Sequence, residues 1–213
     1  MRQMNADVVV VAAGPSGLAA AITAAENGLK VLVLEKGNTT GGTANMGMGP
    51  LGIGSDIQKK MFNDISVDYA LNMHMQYTHY RVDSDLVQTY FNKSADTIRW
   101  LEDMGVEFAG AFRYCRESEA TWHIVKPENG VIGPRAAGPM IKAMTRRAKE
   151  LGVELLLETT VSGLIQENGR VCGAKATTAG GEELEARGKA VVVCTGGFGN
   201  NKEMIKQEFA LNL

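Results

Sequence analysis

The stretch Asp7-Val8-Val9-Val10-Val11-Ala12-Ala13-Gly14-Pro15-Ser16-Gly17-Leu18 decides the fold. Its four consecutive valines are β-branched and apolar at every position. That pattern fits a strand over residues 6–11 that is buried on both faces of a parallel sheet. Gly14-Pro15-Ser16-Gly17 interrupts the run, and the alanine-rich segment Leu18 to Asn27 reads as a helix stopped by Gly28. Lys30 to Glu35 is a second strand of the same buried type. Strand, glycine turn, helix and strand within about 30 residues make a βαβ unit.

Inside this unit, Ala12-x-Gly14-x-x-Gly17 has the spacing of a dinucleotide-binding turn, with alanine at the first glycine position. Small residues let the backbone approach a pyrophosphate, and a helix N-terminus offers unpaired N–H groups and partial positive charge. If the first position needs a positive φ, the Ala12 methyl costs about 1 kcal/mol. Glu35 follows Gly17 by 18 residues, at the end of the next strand, where a carboxylate can accept a ribose hydroxyl. A βαβ unit packed tightly with no ligand would share the pattern.

Working outward, residues 37–55 form a glycine-rich loop without a charged side chain. A polar linker would carry charge or serine, so this loop is expected to pack against something. Its centre, Gly41-Gly42-Thr43-Ala44-Asn45-Met46-Gly47-Met48-Gly49, suits a long flat cofactor continuing beyond its pyrophosphate, a need of flavin sites more than of nicotinamide sites. Near the other end, Lys189 to Cys194 reads as a last buried strand running into Thr195-Gly196-Gly197. That turn would bring more small residues to the carboxyl edge of the same sheet, where open α/β folds bind ligands.

Between these landmarks, Asp56 to Tyr80 is moderately helical, and Ser84 to Met104 is a helix carrying Leu86, Val87, Tyr90, Phe91, Ile98 and Leu101 at helical spacing. Residues 106–132 are irregular or short strands, and Pro139 to Leu151 is a further helix ended by Gly152. Val153 to Leu157 is a strand. A meander then runs through Thr159–Gln166, Val171–Thr178 and Glu183–Arg187, with turns at Asn168-Gly169 and Gly180-Gly181.

Composition limits the function classes. Lys and Arg number 22 against 24 Asp and Glu, a net charge of −2, which excludes binding of nucleic acid through bulk positive charge. Hydrophobic residues make up 45% of the 213, enough for a real core. Glycine, 25 residues or about 12% against a usual ~7%, clusters in the loops named above. Three widely spaced cysteines, Cys115, Cys172 and Cys194, suggest reduced thiols and a cytoplasmic setting. No apolar run approaches the ~20 residues of a membrane helix, and the first apolar stretch, Val8 to Ala13, reads as too short for a signal-peptide core.

Together these segments resemble the flavoprotein family of fumarate reductase and succinate dehydrogenase, in its soluble bacterial FAD-dependent branch. The resemblance rests on Asp7 to Leu18, Glu35-Lys36 with Gly41-Gly42, and Trp100-Leu101 followed by Gly105-Val106-Glu107-Phe108. Lys149 to Val153, Asn168 to Val171 and Cys194 to Gly199 also match, so it covers nearly the whole chain. It implies an α/β, Rossmann-like FAD/NAD(P)-binding fold with a parallel sheet, inserted helices and a β-meander, the FAD-binding domain spanning residues 1–213.

Carried over by the same resemblance, Gly14, Pro15 and Ser16 would face the pyrophosphate through backbone N–H groups. Glu35 would hold the adenosine ribose, with Lys36 beside the adenine. Gly42, Thr43 and Ala44 would pass near the phosphates and flavin, and Gly47, Met48 and Gly49 would lie against the isoalloxazine. Val161 would pair its backbone with the adenine edge, and Thr195, Gly196 and Gly197 would close over the adenosine. Two departures concern the flavin contacts: the family usually has a hydroxyl where Ala44 stands and serine or alanine near Met48.

The implied activity is hydride transfer between flavin N5 and an unsaturated or saturated carboxylate-type substrate. The family's capping domain and second FAD segment are not found in this sequence. The chain is therefore expected to be an amino-terminal portion, with no residue assignable as catalytic. The rival readings are a non-catalytic FAD-binding fragment or split subunit needing a complementary chain or oligomer, and a nicotinamide-dependent enzyme. Trp122-His123 with Arg135 could line a site for an anionic substrate, or be ordinary packing beside a surface arginine. The methionines at 46, 48, 61, 73 and 75 read as core filler.

Overall fold

The computed structural model describes residues 2–209, and the chain divides into two compact units. One combines residues 1–40 with 152–213; the other, 41–151, is inserted between them.

In the first unit, β2 (Val8–Val11), α1 (Pro15–Glu26) and β3 (Val31–Leu34) form the βαβ core. β6 (Glu154–Leu156) and β10 (Ala190–Val193) complete an all-parallel sheet in the order β10-β2-β3-β6. All eight residues of β2 and β3 are buried, as four-residue β-branched and leucine runs require. Helix α1 covers the sheet with Gly17, Leu18, Ala21 and Ile22, a stripe at helical spacing.

A second sheet, in the order β1-β9-β8-β7, is built from the meander β7 (Thr159–Glu167), β8 (Arg170–Thr178) and β9 (Glu183–Arg187). The Asn168-Gly169 turn joins β7 to β8, with Asn168 at φ 50° and Gly169 at φ 76°. The edge strand β1 (Arg2–Asn5) pairs parallel with β9 and is not foreseen from the sequence. Its residues, Arg-Gln-Met-Asn, show no strand pattern, and only the partner's open edge makes them a strand. Val9, Val11, Leu32 and Leu34 from the first sheet meet Ala174, Ala176, Leu184 and Ala186 from the second in one buried cluster.

Strand β10 departs from expectation. It pairs with β2 in register, Val193 beside Val11, yet it is not buried on both faces. Val193 is 56% exposed because β10 lies at the sheet edge, where a strand loses neighbours on one side. Helix α6 (Lys202–Phe209) follows it.

The inserted unit contains α2 (Asp56–Lys60), α3 (Val67–Tyr77), α4 (Ser84–Asp103), the hairpin β4 (Phe108–Phe112) and β5 (Trp122–Val125), and α5 (Gly138–Glu150). The single helical stretch expected over 56–80 is two helices. Ser55 caps α2 with a full capping box and Ser66 caps α3, so the chain restarts where each serine satisfies the N–H groups of a new first turn. Helix α4 keeps the expected bounds and buries Phe91, Ser94, Ile98 and Leu101, while Leu86 and Tyr90 stay exposed.

Leu184, 1% exposed, is the largest side chain that the second sheet contributes to the shared cluster. Leu184→Ala is expected to lower stability by about 2–5 kcal/mol, read as a fall in the urea midpoint at unchanged slope.

Candidate functional site

In the first unit the candidate residues gather at the carboxyl ends of three adjacent parallel strands. Val11 lies beside Val193 on one side and Leu34 on the other, so the segments leaving β2, β10 and β3 start level. The first of them is the turn Ala12–Gly17. Ala12 sits at φ 78°, the left-handed conformation that glycine takes without cost. Gly17 is required by contact: a β-carbon there would lie 2.0 Å from the Ala12 carbonyl oxygen and 3.4 Å from the Cys194 β-carbon. Helix α1 is thereby pressed onto the strand ends.

The start of α1 has room and polarity for an anion. Gly14 is its N-cap, no side chain caps it, and its first turn holds no acidic residue. A β-carbon on Gly14 would meet nothing within 4 Å, so space lies open beside the turn. First-turn N–H groups have no partner within the helix and point outward. One expectation needs correction: Pro15 has no N–H, so it cannot donate to a pyrophosphate. Its role is to preset the helical φ at the first position, while Gly14, Ser16 and Gly17 each carry an N–H at this helix start. Gly17 belongs to the small-residue turn read from the sequence, and its place in the first turn of α1 gives it an N–H with no partner within the helix.

Glu35 follows β3 directly and is only 7% exposed. Its Oε2 accepts the Ala13 N–H and its Oε1 the Gly37 N–H, both at 2.7 Å. The carboxylate thus ties the turn after β2 to the turn after β3. A carboxylate has about four acceptor positions, so each oxygen keeps one for a further donor. Lys36 beside it is exposed. The Glu35 carbonyl accepts the Thr159 N–H at 2.8 Å, which draws the start of β7 to this turn. Val161 follows on β7, the edge strand of its sheet and next to a register shift, with a half-buried side chain. Beyond β10, Cys194 donates its N–H to the Val11 carbonyl at 2.9 Å, and Thr195, Gly196 and Gly197 continue exposed.

The remaining candidates lie in the inserted unit. Gly42–Met46, expected as extended loop, is a short 3-10 helix containing Gly42, Thr43 and Ala44; Gly41, at φ 100°, reverses the chain into it. Residues 47–52 then run antiparallel to β5. The Met48 carbonyl accepts the Val125 N–H and the Pro50 carbonyl the His123 N–H, both at 2.9 Å, and Leu51 bridges Trp122. The Gly47 carbonyl accepts the Ala137 N–H at 3.1 Å. Gly49 at φ 152° passes so close to β5 that a β-carbon would lie 1.9 Å from the His123 carbonyl oxygen. The packing expected of this uncharged loop is therefore present, made by backbone bonds over residues 47–52 and by the side chains of Leu51 and Ile53 in an apolar cluster.

His123 is fully buried and does not face a ligand space. Its Nδ1 lies 3.1 Å from the Thr121 carbonyl, which can only accept, so Nδ1 carries the proton. Nε2 then accepts from the Ser55 hydroxyl at 2.6 Å, and Ser55 Oγ accepts the Gln58 N–H. Gln58 Nε2 donates to the Ala120 carbonyl at 2.8 Å. This closed network holds the start of α2 to the strand before the hairpin's end; at 2% exposure Ser55 cannot meet a substrate. Burial pushes the His123 pKa down, only partly offset by its bond to Thr121. Trp122 donates its indole N–H to the Gly49 carbonyl at 3.1 Å, and Arg135 is exposed. The grouping of Trp122, His123 and Arg135 around an anion is thus replaced by a supporting role.

Comparison with known proteins then gives a consistent result. The family described as FAD binding domain matches residues 7–212. Vinyl phenol reductase of Lactiplantibacillus plantarum is 37% identical over 203 residues, 94% of this chain and 40% of that protein. Among solved structures, the open conformation of a flavocytochrome c3 fumarate reductase is similar with a TM-score of 0.86 at 26% identity, covering 95% of this chain and 36% of that one. The 3-ketosteroid-Δ4-(5α)-dehydrogenase of Rhodococcus jostii RHA1 gives 0.83 at 28% identity, covering 97% and 49%. This chain therefore spans half or less of the length of each of these relatives.

Two measurements follow from the site geometry. Ala12→Gly should stabilise the chain by about 1 kcal/mol by relieving the positive φ, whereas Gly17→Val should destabilise it by several-fold more; urea titration reads both. For His123, the folded chain holds the ring neutral while the unfolded chain protonates near pH 6.5. The unfolded state then binds more protons, so stability falls as pH drops from 7 towards 5. His123→Gln should flatten that fall; parallel curves for the two proteins would refute the assignment.

Proposed function

This chain belongs to the FAD binding domain family, and from that premise we propose that it forms the flavin-holding part of an oxidoreductase resembling fumarate reductase flavoproteins. The reaction is hydride transfer involving the carbon–carbon bond of an unsaturated or saturated carboxylate-type substrate. The single observation that carries the reading is the convergence of the uncapped α1 N-terminus with Glu35, both at the carboxyl ends of adjacent strands. A nicotinamide-only reading is set aside by the family match and by the structured Gly41–Gly49 segment.

In this reading Gly14, Ser16 and Gly17 donate N–H groups to the pyrophosphate, and Pro15 shapes the turn. Glu35 accepts the ribose hydroxyls through its free lone pairs, Lys36 lies beside the adenine, and Val161 offers the open edge of β7 to it. Thr195, Gly196 and Gly197 close the adenosine side. Gly42, Thr43 and Ala44 attend the phosphates and flavin, while Gly47, Met48 and Gly49 form a side-chain-poor bed for the isoalloxazine, held rigid by β5. Bound FAD supplies a two-electron centre that exchanges a hydride at N5. Binding, orienting and excluding water are the tasks of the chain's own residues. A cytoplasmic setting is supported by three free cysteines; among the described residues no helix is long and apolar enough to cross a membrane.

A second reading, a FAD-binding portion that turns over only with a complementary chain, is favoured by the exposed valines of edge strand β10. The visible spectrum after reconstitution with FAD and gel filtration tests the first claim: flavin bands should co-elute with the protein, and a colourless peak would overturn it. Reduction of an unsaturated acid by that holoprotein, with a reduced dye as electron donor, then separates the enzyme from the binding portion. Glu35→Gln should weaken FAD binding about tenfold or more, the scale of a charged hydrogen bond, while unchanged affinity would remove Glu35 from the ribose.

A further inference from the structure

We infer that His123 is a positioning residue for the flavin: buried against residues 47–52, it fixes the course of the segment that the proposed function lays along the isoalloxazine. The inference rests on that reading of the segment and concerns a residue that touches no ligand itself. Three contacts tie His123 to the segment. Its backbone N–H donates to the Pro50 carbonyl at 2.9 Å. Its Nδ1 lies 3.1 Å from the Thr121 carbonyl, which also accepts the Gly52 N–H at 2.9 Å. A β-carbon on Gly52 would stand 2.6 Å from the ring's Cε1 and 2.8 Å from its Nδ1, so the imidazole itself limits how the chain can pass.

Two further elements hold the ring. Phe108 of β4 meets it edge-on, with centroids 6.1 Å apart at 89°. At the other ring nitrogen, Nε2, the Ser55 hydroxyl sits at 2.6 Å. Ser55 is fastened to Gln58 twice: the Gln58 N–H donates to Ser55 Oγ, and the Ser55 N–H donates to Gln58 Oε1, each at 3.1 Å. The capping box of α2 and the segment 47–52 thus share one imidazole. A neutral imidazole donates at one nitrogen and accepts at the other, which is what Thr121 and Ser55 require of it. An apolar side chain of similar size would leave the Ser55 hydroxyl buried without an acceptor.

The same bonds make the arrangement sensitive to a proton. Protonated Nε2 would face the Ser55 hydroxyl as a second donor, and the charge would be buried. The loop presents Gly49 and Gly52 to His123, α2 presents Ser55 and β4 presents Phe108, none of them charged. Asp56, beside Ser55 on α2, is exposed and paired with Lys59 and Arg99; Glu107, just before β4, is exposed and paired with Lys126. Burial holds the imidazole pKa below its usual value, and the Thr121 bond offsets part of that. With the segment released, the ring meets water and titrates near pH 6.5. The released form therefore binds more protons than the flavin-bound form, and FAD affinity falls as pH drops through that range.

The FAD affinity of the full chain is measured by quenching of flavin fluorescence from pH 7.5 to pH 5.0, with circular dichroism confirming the fold at each pH. Wild type should bind about threefold more weakly, or worse, at the low end. His123→Gln, which takes up no proton, should bind about fivefold more weakly than wild type at pH 7.5 and change by less than about 1.5-fold over the range. If that variant does not fold, wild type alone decides. Proton NMR follows its three histidines, assigned with His74→Gln and His79→Gln, and saturating FAD should lower the titration midpoint of His123 by about half a pH unit or more. A pH profile in His123→Gln parallel to that of wild type, wild-type affinity in that variant, or a His123 midpoint unmoved by FAD each overturns the inference and leaves the FAD reading standing. A wild-type chain that binds no FAD at pH 7.5 overturns the FAD reading, and the inference with it.

Discussion

The close approach of Gly17 to the Ala12 carbonyl is the constraint on which the first unit depends. With a β-carbon only 2.0 Å from that oxygen, no other residue lets α1 sit so near the ends of β2 and β10. The contact brings the helix N-terminus level with Glu35 and with the segment after β10. The strand register already aligns these three chain ends, and the helix adds the donors. Ala12 bears the cost, since its positive φ is the conformation that lets its carbonyl turn towards Gly17. The carboxylate of Glu35 then fastens the turn through Ala13 and Gly37, so one buried acid serves both the fold and the candidate ribose contact.

The inserted unit solves a different problem. Half of residues 47–52 are glycine, and the segment is anchored by main-chain bonds to β5 and to the start of α5, with Leu51 packed against an apolar cluster. Gly49 permits the approach, and the buried His123, Ser55 and Gln58 network stiffens the strand from behind. Main-chain bonds along one side thus fix the segment's conformation. Pre-organisation of this kind reduces the ordering that a bound cofactor would otherwise impose.

Much of the architecture was legible in local pattern. The valine run, the alanine-rich helix, the Asn-Gly hairpin and the amphipathic Ser84 helix each carry their signal within a few residues, and each forms. Where the reading failed, the deciding information lay elsewhere in the chain. Arg2–Asn5 became a strand only because β9 presents an open edge, and the exposure of β10 follows from its place in the strand order. Helix capping by Ser55 and Ser66 was a local signal that went unread within the moderately helical stretch.

The amino-acid sequence by itself determined the βαβ unit, the glycine turn with its acidic partner and the meander, because steric and periodic preferences act over one or two turns of chain. Only the tertiary structure decided which polar side chains remain available. It enclosed His123 and Ser55 in a network, spent two acceptor positions of Glu35 on the backbone, and gathered aromatic side chains from α3, α4 and the hairpin around one cavity. Availability depends on what packs against a group from distant positions in the chain, and no local pattern encodes that.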